Sequence, residues 1–101
     1  MSIVSLTQFG TLYHGSGKGF KGRVKPVSGT AFATPDLEEA KAYAARRAKQ
    51  EGALFGPVYE VSVAPDDPAK SRTLPSIKGK GYSKYVMSKK GFDLGKIVAW
   101  G

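Results

Sequence analysis

One stretch of the chain, residues 35–51, has the pattern of an amphipathic helix, and this is the strongest structural signal in the sequence. Thr34 is a residue type that caps helices, Pro35 suits the first helical position, and acidic residues follow at once. Gly52 ends the pattern. The apolar residues recur at helical spacing and would share one face: Leu37, Ala40, Ala44 and Ala48. The sequence therefore predicts one main helix over about residues 35–51.

Short apolar runs separated by glycine and proline predict strands in much of the remaining chain. The runs are residues 11–14, 30–34, 58–63, 85–87 and 95–100. Residues 69–82 are basic and contain Pro75 and two glycines, so they predict a long loop. Because most connections are short, the strands are expected to pair antiparallel. The expected fold class is α+β, with compact, mostly antiparallel sheets and one main helix.

The length of the chain, 101 residues, is that of one domain, and we expect residues 1–101 to form it. The chain has no cysteine, which excludes disulfide scaffolds, thiol catalysis and cysteine-based metal sites. It has one histidine, so no metal site is expected. No apolar run approaches the roughly 20 residues of a membrane span, and no secretory signal is visible. The sequence therefore predicts a cytoplasmic protein without membrane contact.

Positive charge is concentrated at the two ends of the sequence. The formal net charge is +8, made up of +4 over residues 1–35, −3 over residues 36–69 and +7 over residues 70–101. An excess of positive charge of this size attracts polyanions such as nucleic acid or nucleotide phosphates. One interpretation is a polyanion contact through residues 70–96, and the other is a solvated basic surface.

A glycine-dense stretch at residues 17–22 formally matches G-x-G-x-x-G. The dinucleotide fingerprint must open a helix, whereas Arg23, Val24, Lys25 and Pro26 follow here, so this fingerprint is rejected. The backbone amides of the stretch, beside Lys18, Lys21 and Arg23, are still suited to holding phosphates. A plain flexible loop is the alternative.

The single histidine, His14, stands at the end of a predicted strand and is followed by Gly15. Glycine allows a ligand to approach the backbone closely, and an imidazole can donate a hydrogen bond to a ligand hydroxyl or accept one from it. These features make His14 a candidate binding or catalytic residue, with a purely structural role as the alternative.

Several short motifs occur in a particular order along residues 11–101. They are Tyr13-His14-Gly15-Ser16, Phe32-Ala33-Thr34, the alanine-rich helix, Val58-Tyr59-Glu60-Val61, Asp66-Asp67-Pro68 and the closing strand at residues 95–100. This order resembles the ADP-ribosyltransferase superfamily, and most of all the small rifamycin ADP-ribosyltransferases of bacteria. Phe32 stands where that family has tyrosine, so ring stacking is kept and a phenolic hydrogen bond is not.

The resemblance implies an enzyme that cleaves the nicotinamide–ribose bond of NAD and transfers ADP-ribose to an acceptor. His14 would bind a ribose hydroxyl, and Phe32 would stack on the nicotinamide ring. Asp67, with Asp66 as its rival, would stabilise the cationic sugar. Further NAD contacts are expected from Tyr13, Gly15, Ser16, Thr34, Lys18 and Arg23.

The acceptor is left open among small molecules, proteins and nucleic acids. A second interpretation is a non-catalytic basic module of the same fold that binds nucleic acid or an acidic protein. A third is an inhibitor of a partner protein that has lost the NAD site. A small, basic, cysteine-free chain would also suit a phage or mobile-element product.

Overall fold

The computed structural model describes residues 10–17, 23–24, 30–64, 67 and 69–101. The described part contains one α-helix and seven strands. In chain order they are β1 (Leu12–Gly15), β2 (Arg23–Val24), β3 (Ala31–Ala33), α1 (Leu37–Gln50), β4 (Pro57–Ser62), β5 (Lys70–Pro75), β6 (Tyr82–Ser88) and β7 (Phe92–Trp100).

The strands form two sheets, of order β1-β4-β7-β2 and β3-β6-β5, and every strand pair is antiparallel. The structure thus confirms the predicted α+β class with one helix and antiparallel sheets.

The two sheets meet where the edge strands β1 and β3 lie side by side. The backbone of Tyr13 exchanges two hydrogen bonds with that of Thr34, at N···O distances of 2.8 and 2.9 Å. This bridge brings the end of β1, which carries His14, next to β3, which carries Phe32. Two motifs that are 18 residues apart in the sequence therefore become neighbours.

The main core lies between the two sheets. Leu12, Tyr59 and Phe92 from the first sheet pack with Ala31, Ala33 and Val86 from the second. A second cluster lies on the other face of the first sheet, where Ala40 and Ala44 of α1 cover Val58. The four-stranded sheet therefore has the main core on one face and α1 on the other.

The helix begins later than the sequence predicts, at Leu37, and Asp36 is its N-cap. One carboxylate oxygen of Asp36 accepts hydrogen bonds from the backbone N–H groups of Glu38 and Glu39, at 3.0 and 3.3 Å. The prediction of Thr34 as the cap was wrong because its hydroxyl is used elsewhere. It donates to the Lys84 carbonyl at 2.8 Å and accepts from the Asp36 N–H at 3.1 Å.

The prediction of a long loop over residues 69–82 was also wrong. β5 pairs with β6 along its whole length, from Lys70 opposite Met87 to Pro75 opposite Tyr82. Its side chains are exposed except for the partly buried Leu74, so it lacks the apolar alternation by which strands are predicted. Pro75 is tolerated because it lies at the end of an edge strand, where one row of backbone groups has no strand to pair with.

The approach of α1 to the strands beneath it is close enough to require glycine. A Cβ atom on Gly15 would overlap the carbonyl oxygen of Ala40 and lie 2.7 Å from the Ala44 nitrogen. Gly56 and Gly101 are similarly close to the helix backbone, at Ala44 and Lys41. Helix backbone, rather than the ligand suggested by the sequence, therefore occupies the space beside the α-carbon of Gly15.

Replacing Gly15 with alanine should lower the free energy of unfolding by about 3 kcal/mol, because the added methyl must push α1 away from β1. Urea unfolding followed by circular dichroism would measure the change. Ala45→Ser, on the exposed face of the same helix, is the control and should change stability by only about 0.5 kcal/mol. Equal stability of the Gly15→Ala variant and the wild type would contradict the close packing.

Candidate functional site

A cavity of about 380 Å³ lies where the end of β1, the strand β3 and one side of α1 meet. Predicted site residues that line it are Tyr13, His14, Gly15, Ser16, Phe32 and Thr34. The remaining lining residues are Val24, Thr30, Ala31, Ala33, Glu39, Ala40, Tyr43, Arg47, Glu51 and Tyr85. The structure thus brings together the two motifs on which most of the predicted NAD contacts depend.

His14 is held in one orientation by a backbone contact. Its Nδ1 lies 2.8 Å from the carbonyl oxygen of Phe32. A carbonyl can only accept, so Nδ1 carries the proton and, in the neutral ring, Nε2 carries the lone pair. Burial lowers the pKa of His14, and the positive charge of Arg47 lowers it further against the opposing effect of the Phe32 hydrogen bond. His14 is therefore a neutral imidazole at pH 7.

Phe32 and Tyr85 form an aromatic wall of the cavity. Their ring centroids are 6.4 Å apart and their planes are nearly perpendicular, the edge-to-face arrangement that aromatic pairs favour. Tyr85 is buried, whereas 36% of the Phe32 surface is exposed. The contact with Tyr85 thus fixes the position of the Phe32 ring, and part of that ring remains accessible.

Glu39 is a fully buried carboxylate that ties the helix to the second sheet. One of its oxygens accepts a hydrogen bond from the Ser76 hydroxyl at 2.6 Å. The other accepts from the Ile77 N–H at 2.8 Å and from the phenol of Tyr85. Burial alone would raise the pKa of Glu39, but these donors and the charge of Lys78 outweigh it and hold the pKa below its usual range.

The phenol of Tyr85 is correspondingly kept protonated. Burial raises the pKa of Tyr85, and the negative charge of Glu39 raises it further. Tyr85 and Glu39 therefore act as a fixed donor and a fixed acceptor at neutral pH. Both residues line the cavity, and this pair was missed in the sequence because its members are 46 residues apart.

The helix and its C-cap contribute a row of three lining side chains that the sequence did not predict. Tyr43, Arg47 and Glu51 are spaced four residues apart and line the cavity along one side of α1. Arg47 Nη2 lies 3.9 Å from Glu51 Oε2. These three residues have helical spacing in the sequence. They lie beside the alanine stripe at 40, 44 and 48, however, and the alanines dominate the apolar pattern.

Asp67, the predicted carboxylate of the site, is not among the residues that line the cavity. Its Oδ2 accepts a hydrogen bond from the Ser88 hydroxyl, and Ser88 is paired in the sheet with Ala31, which lines the cavity. Its Oδ1 is buried and has no hydrogen-bond partner among the residues that the structure describes. Asp67 is therefore linked through Ser88 to the strand pair that contains Ala31.

Three other predicted residues are not placed at the cavity by the structure. Lys18 and Asp66 lie outside the described residues, as does Lys21 of the glycine-dense stretch. Arg23 is described in its backbone, which pairs with Asp93 in the β2–β7 ladder. Their predicted contacts with phosphate or sugar stay predictions.

The described ranges contain no group of three or more histidine, aspartate or glutamate side chains arranged to hold a metal ion. They also contain no helix of the length and apolar character needed to cross a bilayer.

Comparison with known proteins adds no relative to this picture. No protein-family model, curated protein or solved structure matches the chain. The motif order and the geometry of the cavity are therefore the two observations from which a function can be inferred.

Replacing Glu39 with glutamine should lower the free energy of unfolding by about 2–3 kcal/mol, because the amide places N–H groups where the carboxylate accepts. The Glu39 pKa is lowered in the folded state, so its contribution is present above the unfolded value of 4.5 and is lost as pH falls through the folded value. Denaturant unfolding at a series of pH values would show the two proteins converging below about pH 4.5. A constant difference across that range would contradict the assigned ionisation.

Proposed function

We propose that the cavity binds the nicotinamide–ribose end of NAD and that the protein is an ADP-ribosyltransferase. The observation that carries this proposal is the neutral His14, held by the Phe32 carbonyl in the wall that also contains the Phe32 ring. The Nε2 lone pair suits a ribose hydroxyl, and the half-exposed ring suits a flat, cationic pyridinium. The resemblance to the rifamycin ADP-ribosyltransferases assigns these two tasks to the same two residues.

The size of the cavity favours one end of the dinucleotide. Small-molecule sites range over about 300–1000 Å³, and a cavity of about 380 Å³ is at the lower end of that range. The nicotinamide and its ribose would occupy it, and the phosphates would extend outward. Lys18 and Arg23 are the predicted partners of those phosphates.

The reaction breaks the bond between the nicotinamide nitrogen and C1′ of the ribose. Nicotinamide leaves as a neutral base with the electron pair of that bond, and the sugar passes through an oxocarbenium-like state. An oxygen or nitrogen of the acceptor forms the new bond to C1′, and the acceptor proton goes to solvent. The protein contributes by holding the ribose in place and by stabilising the positive charge that develops on it.

The motif order assigns the carboxylate for that charge to Asp67, and the contacts of the two lining acids are compatible with this. Both oxygens of Glu39 already accept hydrogen bonds, and Glu51 is next to the cation of Arg47. Asp67 does not line the cavity, but its buried Oδ1 has no partner among the described residues. This oxygen without a partner supports the role that the motif order assigns to Asp67.

Replacing His14 with asparagine separates its structural role from its proposed binding role. The asparagine amide can still donate to the Phe32 carbonyl but has no group in the place of Nε2. We expect an unchanged unfolding temperature and NAD binding weakened by about tenfold, measured by calorimetry. His14→Gln places a polar group near the Nε2 position and should bind NAD more tightly than His14→Asn.

The same experiment tests the reaction if release of nicotinamide is measured with water as the acceptor. His14→Asn should lose both NAD affinity and release. Asp67→Asn should keep NAD affinity and lose release, because the carboxylate acts on the developing cation. Wild-type affinity in the His14→Asn variant, or normal release by Asp67→Asn, would contradict the assigned roles.

A further inference from the structure

The hairpin formed by β5 and β6, with the residues that follow it, is strongly basic and contains no acid. We call residues 70–90 the basic hairpin. Its seven cationic residues are all exposed: Lys70, Arg72, Lys78, Lys80, Lys84, Lys89 and Lys90. Every aspartate and glutamate of the chain lies outside it. Residues 70–90 therefore carry +7 of the formal net charge of +8, because the other nine basic residues are offset by the eight acidic ones.

Most of this charge is not neutralised within the described structure. Lys78 lies 3.3 Å from the Asp36 carboxylate, which also caps α1. Among the residues the structure describes, Lys70, Arg72, Lys80 and Lys84 have no carboxylate within 4.0 Å. Concentrated like charge destabilises a folded protein unless an external anion compensates for it. The basic hairpin therefore suits a polyanionic partner.

The strand pairing places cations on both faces of the sheet formed by β5 and β6. Arg72 is opposite Tyr85, and Lys70 is opposite Met87, so both cations share the face of the sheet on which Phe32 and Tyr85 line the cavity. Cationic positions two residues apart on one strand face are about 6.7 Å from each other.

Lys84 is opposite Thr73 and shares the other face of the sheet with Tyr82. A nucleic-acid strand that crosses the open edge of β5 would therefore meet Lys70 and Arg72 on one face and Lys84 beside Tyr82 on the other.

Tyr82 gives the basic hairpin an aromatic surface. It is 75% exposed, and it lies between Lys80 and Lys84 in the sequence. An exposed ring beside cations is the arrangement that binds single-stranded nucleic acid, since bases stack on the ring while phosphates meet the charges. An acidic peptide would use the cations but would have no need of the ring. A duplex keeps its bases stacked on each other, so it would not use the ring either.

We propose that the basic hairpin binds single-stranded nucleic acid, with phosphates on Lys70, Arg72 and Lys84 and a base stacked on Tyr82. Because Lys70 and Arg72 share the face that lines the cavity, the bound strand would run beside the proposed NAD site. The further conclusion that this strand is the acceptor rests on the proposed function. The binding itself does not, and it is measured without NAD.

The test is fluorescence anisotropy of a fluorescein-labelled oligothymidine of about 20 nucleotides with the full chain. Wild type should bind with an affinity that falls as salt rises, with a log–log slope of about −2 for three neutralised phosphates. Lys70→Gln with Arg72→Gln should weaken binding about tenfold and make the slope about 1.4 less steep. Tyr82→Ala should weaken binding by about fivefold or more with an unchanged slope.

The matched control removes the same two charges from the exposed part of α1, as Arg46→Gln with Lys49→Gln. It should weaken binding by less than about threefold, since screened charges away from the contact add little. Equal weakening by the two double variants would overturn the proposal in favour of net charge alone. Absence of wild-type binding at about 50 mM salt would overturn it as well. Base stacking on Tyr82 would be overturned if Tyr82→Ala bound the oligothymidine as tightly as wild type. It would also be overturned if wild type bound a duplex as tightly as the single strand.

Discussion

The contact between α1 and the first sheet determines where every part of the candidate site lies. Gly15 and Gly56 allow the helix backbone to come so close that a single Cβ would overlap it. The alanines at 40 and 44 present no bulk on the helix side, so backbone packs almost directly on backbone. His14 precedes Gly15 on the same strand, and one side of α1 lines the cavity. Any change in this approach would therefore move the histidine relative to the helical wall.

Polar contacts, in addition to helix packing, hold the walls of the cavity in place. The backbone bridge between Tyr13 and Thr34 sets the distance between the two sheets at the cavity. Glu39 fastens the start of the helix to Tyr85 on the second sheet, at the cost of burying a carboxylate that three donors must satisfy. The Phe32 carbonyl then fixes the ring of His14. The cavity is thus pre-organised by contacts that do not require a ligand.

What the sequence predicts well is local, and what it misses depends on distant partners. The helix was predicted to within about two residues because caps and apolar spacing act over one or two turns. β5 was missed because an exposed edge strand needs no apolar side chains and takes its pairing from β6. His14 and Phe32 were identified by motif order, but their contact depends on a bridge between sheets. Glu39 was seen only as a favourable charge in the first helical turn, since nothing local reveals its burial against Tyr85.

The proposed function requires NAD to bind in this pre-organised cavity and not on the basic hairpin. Titration of NAD into the ¹⁵N-labelled protein, followed by amide chemical shifts, tests it most directly because it locates the ligand without assuming turnover. We expect shifts centred on the amides of Gly15, Ser16 and Phe32, which belong to residues that line the cavity. Shifts confined to the basic hairpin, or no shifts at millimolar NAD, would contradict it.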